Sequence, residues 1–299
     1  MPDQLRHAIL GAGGVGGLIG ACLARTGAPV TMVVRAAALA EYPRQLKLES
    51  PFGNITAAVA VSPEVPACDV LWLTVKATQL QDSLAALKNP NSVKAIVPLL
   101  NGIDHLAFLR ERCGAERIIP ATIAVESERV APAHIVHRSS FARLNVLSAG
   151  RTVLSSTLDE LQKFGFECRF MDHEPTLMWS KLVFLGPFAL TTTASDKGTG
   201  EILSDPHGRE LGIACIREAC AVAIAEGAKL NADAVIAGLA KMPGNMRSSM
   251  QKDVEQGRVP ELDAIAGPIL RGAERHRIDI PATRSLVASV QTRVQARKQ

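Results

Sequence analysis

At 299 residues the chain has room for two domains, taking about 150 residues for each. Its 47% hydrophobic and 21% charged residues are typical of a soluble globular protein. The net charge of +4 is small for this length and only 4% of the residues are aromatic, which argues against a nucleic-acid partner.

The cysteines and the hydrophobic segments indicate the compartment. The six cysteines form no C-x-x-C pair and no Cys/His cluster with zinc spacing, so we expect buried thiols in a reducing environment and no metal site. The N-terminus lacks the pattern of a signal peptide, and no apolar run reaches about 18 residues. The sequence therefore predicts a cytoplasmic protein with no membrane partner.

The first half of the chain alternates short apolar runs with helical patterns. We predict strands at 7–10, 30–34, 70–75, 95–99 and 118–124, and helices at 14–26, 79–87 and 103–112. Strands that alternate with helices indicate a parallel sheet covered on both faces. Two later runs, 134–138 and 142–147, are predicted to be antiparallel strands added to that sheet, and 157–164 a helix.

The pattern becomes almost wholly helical beyond residue 172. Helices are predicted at 177–185, 211–229, 232–241, 261–276 and 283–296, with Gly186-Pro187 breaking the first. The fold class is therefore α/β: an N-terminal Rossmann-like parallel-sheet domain, residues 1–172, and a C-terminal all-α domain, residues 173–299. Apolar faces on the last helices would suit a homodimer, but core packing explains the same pattern.

The most informative segment is the glycine loop, residues 11–16. Gly11, Gly13 and Gly16 have G-x-G-x-x-G spacing between a predicted strand and a predicted helix. Gly11 allows a tight turn, Gly13 lets the backbone approach a pyrophosphate, and Gly16 lets the helix pack on the strand. The helix start at Gly14 and Val15 offers N–H groups to phosphates. In this context the motif predicts a dinucleotide site.

The second predicted strand ends in Arg35, where an NAD site usually carries an acidic residue. A guanidinium binds phosphate oxygens with two parallel hydrogen bonds, which suits the 2′-phosphate of NADP(H). The alternative is a solvated arginine at a strand end. We expect NADP(H) rather than NAD(H).

Three further polar residues follow or interrupt apolar segments: Lys76, Asn101 and Lys181. Lys76 and Asn101 come at the ends of predicted strands, on the edge of the sheet where ligands bind. Lys181 stands on an otherwise apolar helix. Each has a structural alternative: a solvated strand end, a plain Asn-Gly turn, and a lysine that extends from the helix to water.

The chain resembles the ketopantoate reductase (2-dehydropantoate 2-reductase) family over nearly its whole length. The matching pieces are the glycine loop, Val75-Lys76-Ala77, Asn101-Gly102, Trp179-x-Lys181-Leu182, Ser248-Ser249-Met250-x-x-Asp253, Glu261-Leu262-Asp263 and the run from Arg275 to Pro281. The resemblance implies NADPH-dependent reduction of a 2-oxo acid to a 2-hydroxy acid, ketopantoate to pantoate, in pantothenate biosynthesis.

The resemblance also implies roles for single residues. Lys181 would hydrogen-bond the ketone oxygen and supply a proton, and Glu261 would hold Lys181 or a substrate hydroxyl. Asn101 would lie near nicotinamide and substrate, Lys76 near the cofactor, and Ser249 would bond the substrate carboxylate. For Glu261, a solvated carboxylate at a helix start is the alternative.

The chain departs from the family where two asparagines reach the substrate, four and eight residues after the lysine. Those positions hold Leu185 and Ala189, and a third family asparagine falls on Met246, with Asn245 one place off. Loss of an amide from a polar site costs about 1–3 kcal/mol for each unpaired substrate oxygen. With Phe184 and Phe188 nearby, a bulkier or more apolar 2-oxo acid is a hypothesis for the substrate.

Other functions remain open on the sequence. The same architecture could oxidise a hydroxy acid or join an amino acid reductively to an oxo acid. A non-catalytic NADP(H) sensor is a further alternative, although a sensor has no need of Lys181 and Glu261.

Overall fold

Residues 4–297, described by a computed structural model, form two compact units. The first unit runs to Leu100 and resumes at His105–Asp172. The second consists of Asn101–Asp104 and the chain from His173 onward. We call Asn101–Asp104 the strap: it packs with the C-terminal helices although it lies in the N-terminal half of the sequence.

In the part of the chain that the structure describes, the first unit contains short strands and four α-helices. The strands are β1 (His7–Leu10), β2 (Val30–Val33), β3 (Gln45–Glu49), β4 (Ile55–Ala58), β5 (Ala60–Ser62), β6 (Cys68–Leu73), β7 (Val93–Pro98), β8 (Ala121–Ala124), β9 (Ser127–Ala131), β10 (His134–His137), β11 (Ala142–Leu147) and β12 (Phe166–Met171). The helices are α1 (Gly14–Arg25), α2 (Leu80–Ser83), α3 (His105–Cys113) and α4 (Arg151–Lys163).

Five strands form a parallel sheet with the order β5-β2-β1-β6-β7. β1 lies at its centre, with His7 opposite both Val30 of β2 and Val70 of β6. The apolar residues that predicted these strands lie in the core, and Ile9, Trp72 and Val97 are fully buried. The predicted Rossmann-like sheet is confirmed.

The strands predicted to extend this sheet lie elsewhere. β10 belongs to a four-stranded sheet with the order β4-β3-β10-β9, and β11 to a three-stranded sheet with the order β12-β11-β8. The prediction of one enlarged sheet was wrong because alternating apolar residues show that a segment is a strand but not which strand it pairs with. The predicted helix at 79–87 is also shorter, since only α2 is α-helical there.

The second unit is helical. Its helices are α5 (Glu174–Ser195), α6 (Thr199–Ser204), α7 (Pro206–Ala225), α8 (Ala232–Leu239), α9 (Ser249–Glu255), α10 (Leu262–His276) and α11 (Pro281–Ala296). The C-terminal all-α architecture is confirmed, with α6 and α9 added to the predicted helices.

α5 continues through the expected break at Gly186-Pro187 to Ser195. A proline inside a helix removes one backbone hydrogen bond and costs about 3 kcal/mol. Here the surrounding turn is buried, and the hydroxyl of Thr191 donates to the carbonyl of Pro187 at 2.7 Å. Tertiary packing therefore outweighs the local signal, and the predicted helix end was wrong.

The apolar residues of the last helices fill the core of this unit. Leu286 and Val290 of α11 are buried against Leu190 of α5 and Met250 of α9. Core packing thus accounts for the pattern that also suited a homodimer. None of the helices within residues 4–297 is long and apolar enough to cross a membrane.

Candidate functional site

Two glycines of the glycine loop are required by the fold itself. Gly11 has a φ of +118°, and a Cβ there would lie 2.6 Å from the backbone of Thr74 and Val75. A Cβ at Gly16 would lie 2.2 Å from the carbonyl oxygen of Gly11 and 2.9 Å from the side chain of Ile9. The tight turn and the close packing of α1 on β1 therefore both depend on glycine.

Gly13 differs from these two glycines because the space that a side chain would occupy there is open. A Cβ there would meet no atom within 4 Å, and residues 11–15 are only half-buried. α1 begins immediately after Gly13, so the first N–H groups of the helix, which have no intrahelical partner, lie at this open side of the loop. The residues present fit a dinucleotide pyrophosphate.

β9 lies against the start of α1, which sequence reasoning missed. A Cβ at Gly14 would be 2.0 Å from the carbonyl oxygen of Ser127, and the Ser127 hydroxyl donates to the Gly14 carbonyl at 2.9 Å. Arg129, two residues along β9, donates to the carbonyl of Ala12 at 3.4 Å. These partners are more than 110 residues apart, so only an alignment of homologues could have indicated them.

The other predicted cofactor residues follow strands that neighbour β1. Arg35 is exposed and comes two residues after β2, at the start of a short 3₁₀ turn. Lys76 is partly buried, three residues after β6, and also precedes a 3₁₀ turn. Since β2, β1 and β6 are parallel neighbours, the glycine loop, Arg35 and Lys76 all lie at the carboxyl edge of one sheet.

A hydrogen-bonded cluster in the second unit joins three of the predicted site residues. The ammonium of Lys181 donates to Oδ1 of Asn101 at 3.0 Å, and Nδ2 of Asn101 donates to Oε2 of Glu261 at 3.0 Å. An ammonium only donates and a carboxylate only accepts, so this orientation of the Asn101 amide alone satisfies both partners. We call Lys181, Asn101 and Glu261 the lysine cluster.

Each member of the lysine cluster comes from a different element. Lys181 lies in the second turn of α5, beside the buried Trp179 and Leu182. Asn101 is the first residue of the strap, and Glu261 is the buried residue immediately before α10. The structural alternatives, an exposed lysine and a solvated carboxylate, do not describe these side chains.

Burial and charge act in opposite directions on Lys181. Desolvation of the ammonium lowers the pKa of Lys181 from 10.5 to about 8, although the carboxylate of Glu261 raises it. A lysine with this pKa is mostly protonated at neutral pH and releases its proton more readily than an exposed one. The cluster can therefore keep the Lys181 ammonium at a defined point, and this ammonium can give a proton to an oxygen placed beside it.

The remaining predicted substrate residue, Ser249, is the exposed first residue of α9. Its neighbour Ser248 is buried; its hydroxyl accepts from the N–H of Gln251 at 3.1 Å and caps the helix. Because α5 is continuous, Leu185 lies one turn beyond Lys181, and the half-buried Phe184 lies beside it. Two apolar side chains thus lie within about one helical turn of Lys181 along α5.

Comparisons with known proteins agree across the chain. Residues 7–147 match the family described as ketopantoate reductase PanE/ApbA, and residues 175–294 match the family described as its C-terminal part. A 2-dehydropantoate 2-reductase of Caulobacter vibrioides is 33% identical over 302 residues, which cover 94% of this chain and 96% of the relative.

Solved structures share the whole architecture. A PanE/ApbA family ketopantoate reductase from Ralstonia eutropha JMP134 has a TM-score of 0.86 at 24% identity, covering 99% of this chain and 100% of its own. A D-mandelate dehydrogenase in a ternary structure with NADH and anilino(oxo)acetate has a TM-score of 0.85 at 22% identity, with the same coverage. At these identities the likeness shows the fold.

Proposed function

This chain belongs to the ketopantoate reductase family, and we propose on that basis that it reduces a 2-oxo acid to the 2-hydroxy acid with NADPH, as a 2-dehydropantoate 2-reductase does. The observation that carries the proposal is the lysine cluster, in which a partly desolvated ammonium is held 3.0 Å from an amide oxygen. A cytoplasmic location and a homodimer stay predictions.

The chemistry requires a cation at the ketone oxygen. The glycine loop, Arg35 and Lys76 would hold a nicotinamide cofactor, which would supply the hydride when bound. Negative charge then develops on the ketone oxygen, and an ammonium placed there lowers the barrier and provides the proton. Lys181 fills this role in our proposal, while Asn101 fixes the direction of its N–H groups and the charge of Glu261 favours the protonated form.

Replacement of Lys181 by alanine tests the reaction. We expect kcat to fall at least about a hundredfold, the size of effect seen when one donor to a developing oxyanion is removed. NADPH affinity, measured by fluorescence titration, should stay unchanged because the glycine loop belongs to the first unit. Retention of full turnover in Lys181→Ala would refute the role of Lys181. Absence of turnover in the unaltered protein, with NADPH bound, would instead favour a chain that only binds the nucleotide.

Arg35 supports NADP(H) over NAD(H) within this proposal. It is exposed at the end of β2 and carries the guanidinium that a 2′-phosphate needs. Arg35→Gln should weaken NADPH binding about tenfold, the loss expected for one charge-assisted contact, and leave NADH binding unchanged. Equal weakening of both nucleotides would assign Arg35 a structural role only.

A second substrate candidate is a 2-oxo acid with a larger, apolar side chain. It is favoured by Phe184 and Leu185, which are both partly exposed on α5 next to Lys181. We expect kcat/KM for 2-oxoisocaproate or phenylpyruvate to exceed that for ketopantoate, and Leu185→Asn to reverse the order. If ketopantoate gives the highest kcat/KM with the unaltered enzyme, this candidate is excluded.

A further inference from the structure

The strap crosses the start of α10 at a very short distance. Gly102 has a φ of +81°, and a Cβ there would lie 2.2 Å from the carbonyl oxygen of Ala264. Backbone lies against backbone at this point, so neither side can yield by a change of rotamer. Ile103, the next residue, packs against the core that includes Trp179 and Ile269.

An arginine ties the other end of the strap to the same helix. Arg271 of α10 donates through Nη2 to the Asp104 carboxylate and through Nη1 to the Asp263 carboxylate, the latter at 2.8 Å. The planar guanidinium can serve both carboxylates at once only when they keep a fixed separation. Asp263 stands two residues after Glu261, so Arg271 links the strap to the turn that begins with Glu261.

We propose that Gly102 and Arg271 are positioning residues for the proposed reduction, because they set the strap on α10 so that the Asn101 amide lies between Lys181 and Glu261. Asn101 adjoins Gly102, and a shift of the strap would move the amide against both partners. The inference rests on the proposed function, since it assigns these residues to the geometry of that site.

The contribution of the Arg271 ion pairs to folding is expected to be small. The side chains of Arg271, Asp104 and Asp263 are 43%, 53% and 84% exposed, and ion pairs this exposed to water contribute little to stability. A catalytic group misplaced by a fraction of an ångström, in contrast, loses a large part of its effect on the rate. The two consequences can therefore be separated by experiment.

The test compares Arg271→Gln with Arg275→Gln, a matched change one turn further along α10. Arg275 is also exposed and pairs with Glu226, away from the strap. We expect Arg271→Gln and Asp104→Asn each to lower kcat for ketopantoate about tenfold. The double variant should be no worse than either single one, and Arg275→Gln should keep the wild-type kcat.

The pH profile of kcat is a second readout, which distinguishes a misplaced Asn101 amide from a loss of folded protein. If the amide no longer faces Lys181, the protonated lysine loses an acceptor and the alkaline limb of the kcat profile should move to lower pH. NADPH affinity and the melting temperature should match those of Arg275→Gln. Wild-type kcat and an unshifted limb in Arg271→Gln would overturn the inference, as would a loss that follows the unfolded fraction.

Lys181→Ala, assayed in parallel, keeps the two failures distinct. If Lys181→Ala is inactive and Arg271→Gln is fully active, the positioning inference alone fails. If Lys181→Ala itself keeps full turnover, the assignment of the reaction to Lys181 fails and the inference falls with it. If the unaltered protein reduces no 2-oxo acid, the proposed function fails.

Discussion

The environment of Lys181 combines one interaction that disfavours the ammonium with two that favour it. Desolvation lowers the pKa of Lys181 to about 8, while the Glu261 carboxylate raises it and the Asn101 carbonyl accepts from Nζ at 3.0 Å. An amide between the two charged groups keeps the ammonium directional, so one of its protons can be offered to a substrate. A direct contact with the carboxylate alone would hold the proton more tightly.

This balance predicts the pH dependence of ketone reduction. Below about pH 8 Lys181 carries the proton that the product oxygen needs, and above it the proton is lost. We expect kcat/KM to fall about tenfold per pH unit on the alkaline side of this value. Rate measurements with saturating NADPH from pH 6 to pH 10 check it; a flat profile to pH 10 would contradict the role.

As the pH rises above about 8, the same pKa shift of Lys181 should raise the stability of the fold while it lowers the activity. The folded pKa lies below the unfolded value of 10.5, so the charged lysine destabilises the fold below about pH 8, and this cost disappears as the pH rises towards 10.5. The melting temperature should therefore rise between pH 8 and pH 10 by more in the wild type than in Lys181→Met, which lacks this group. Lys229→Met, at an exposed position of the same unit, is the control and should keep the wild-type pH dependence.

At the scale of elements, two adjacent glycines at the junction between β1 and α1 are expected to have different roles. Gly13 should matter for ligand binding, and Gly14 for folding. Gly13→Ala places a methyl in open space, whereas Gly14→Ala places one 2.0 Å from the backbone of Ser127 in β9. We expect Gly13→Ala to keep the melting temperature and to weaken NADPH binding at least about tenfold, because the methyl takes the space of the pyrophosphate. Gly14→Ala should lower the melting temperature as well.

Calorimetric titration and thermal melts of the two variants decide this prediction. Unchanged NADPH affinity in a well-folded Gly13→Ala would exclude close approach of a pyrophosphate at that residue. An unchanged melting temperature in Gly14→Ala would show that β9 can move from the helix start without cost.

The sequence was most informative about features that depend on a single strand, helix or turn. The glycine loop, the parallel strands and most helices follow from spacing and periodicity, and Lys181 and Glu261 could be singled out by resemblance. The bonds of Asn101 join residues 80 and 160 positions apart, and no local pattern carries such information. The prediction that the helix ends at Pro187 was wrong for a related reason. Burial in the core maintains α5 through this residue, and local helix propensity does not include burial.

At the scale of the whole molecule, the central strand makes the protein sensitive to acid. His7, the first residue of β1, is 3% exposed and accepts from Nε1 of Trp72 at 3.3 Å. Burial lowers the pKa of His7 to about 4, although the charge of Asp69 raises it. Burial also lowers the pKa of His137, a residue of β10.

The sign of this linkage predicts a loss of stability on acidification. Because the folded pKa of His7 lies below the unfolded value of 6.5, its contribution is complete above pH 6.5 and is lost as the pH falls to about 4. The loss amounts to about 3 kcal/mol at most. Urea unfolding at pH 7.5 and pH 4.5 measures it, and His7→Gln should show a smaller difference. An equal difference in both proteins would contradict the assignment.

The two-part make-up of the second unit limits how this protein can be divided or recombined. A fragment that starts at residue 173 contains Lys181 and Glu261 but lacks Asn101, which the chain contributes from the strap. A chimera with a crossover at residue 172 would combine the lysine and the acid of one parent with the asparagine and Asp104 of the other. A fragment or an exchanged domain therefore carries the whole lysine cluster only when it includes residues 101–104 as well as the C-terminal helices.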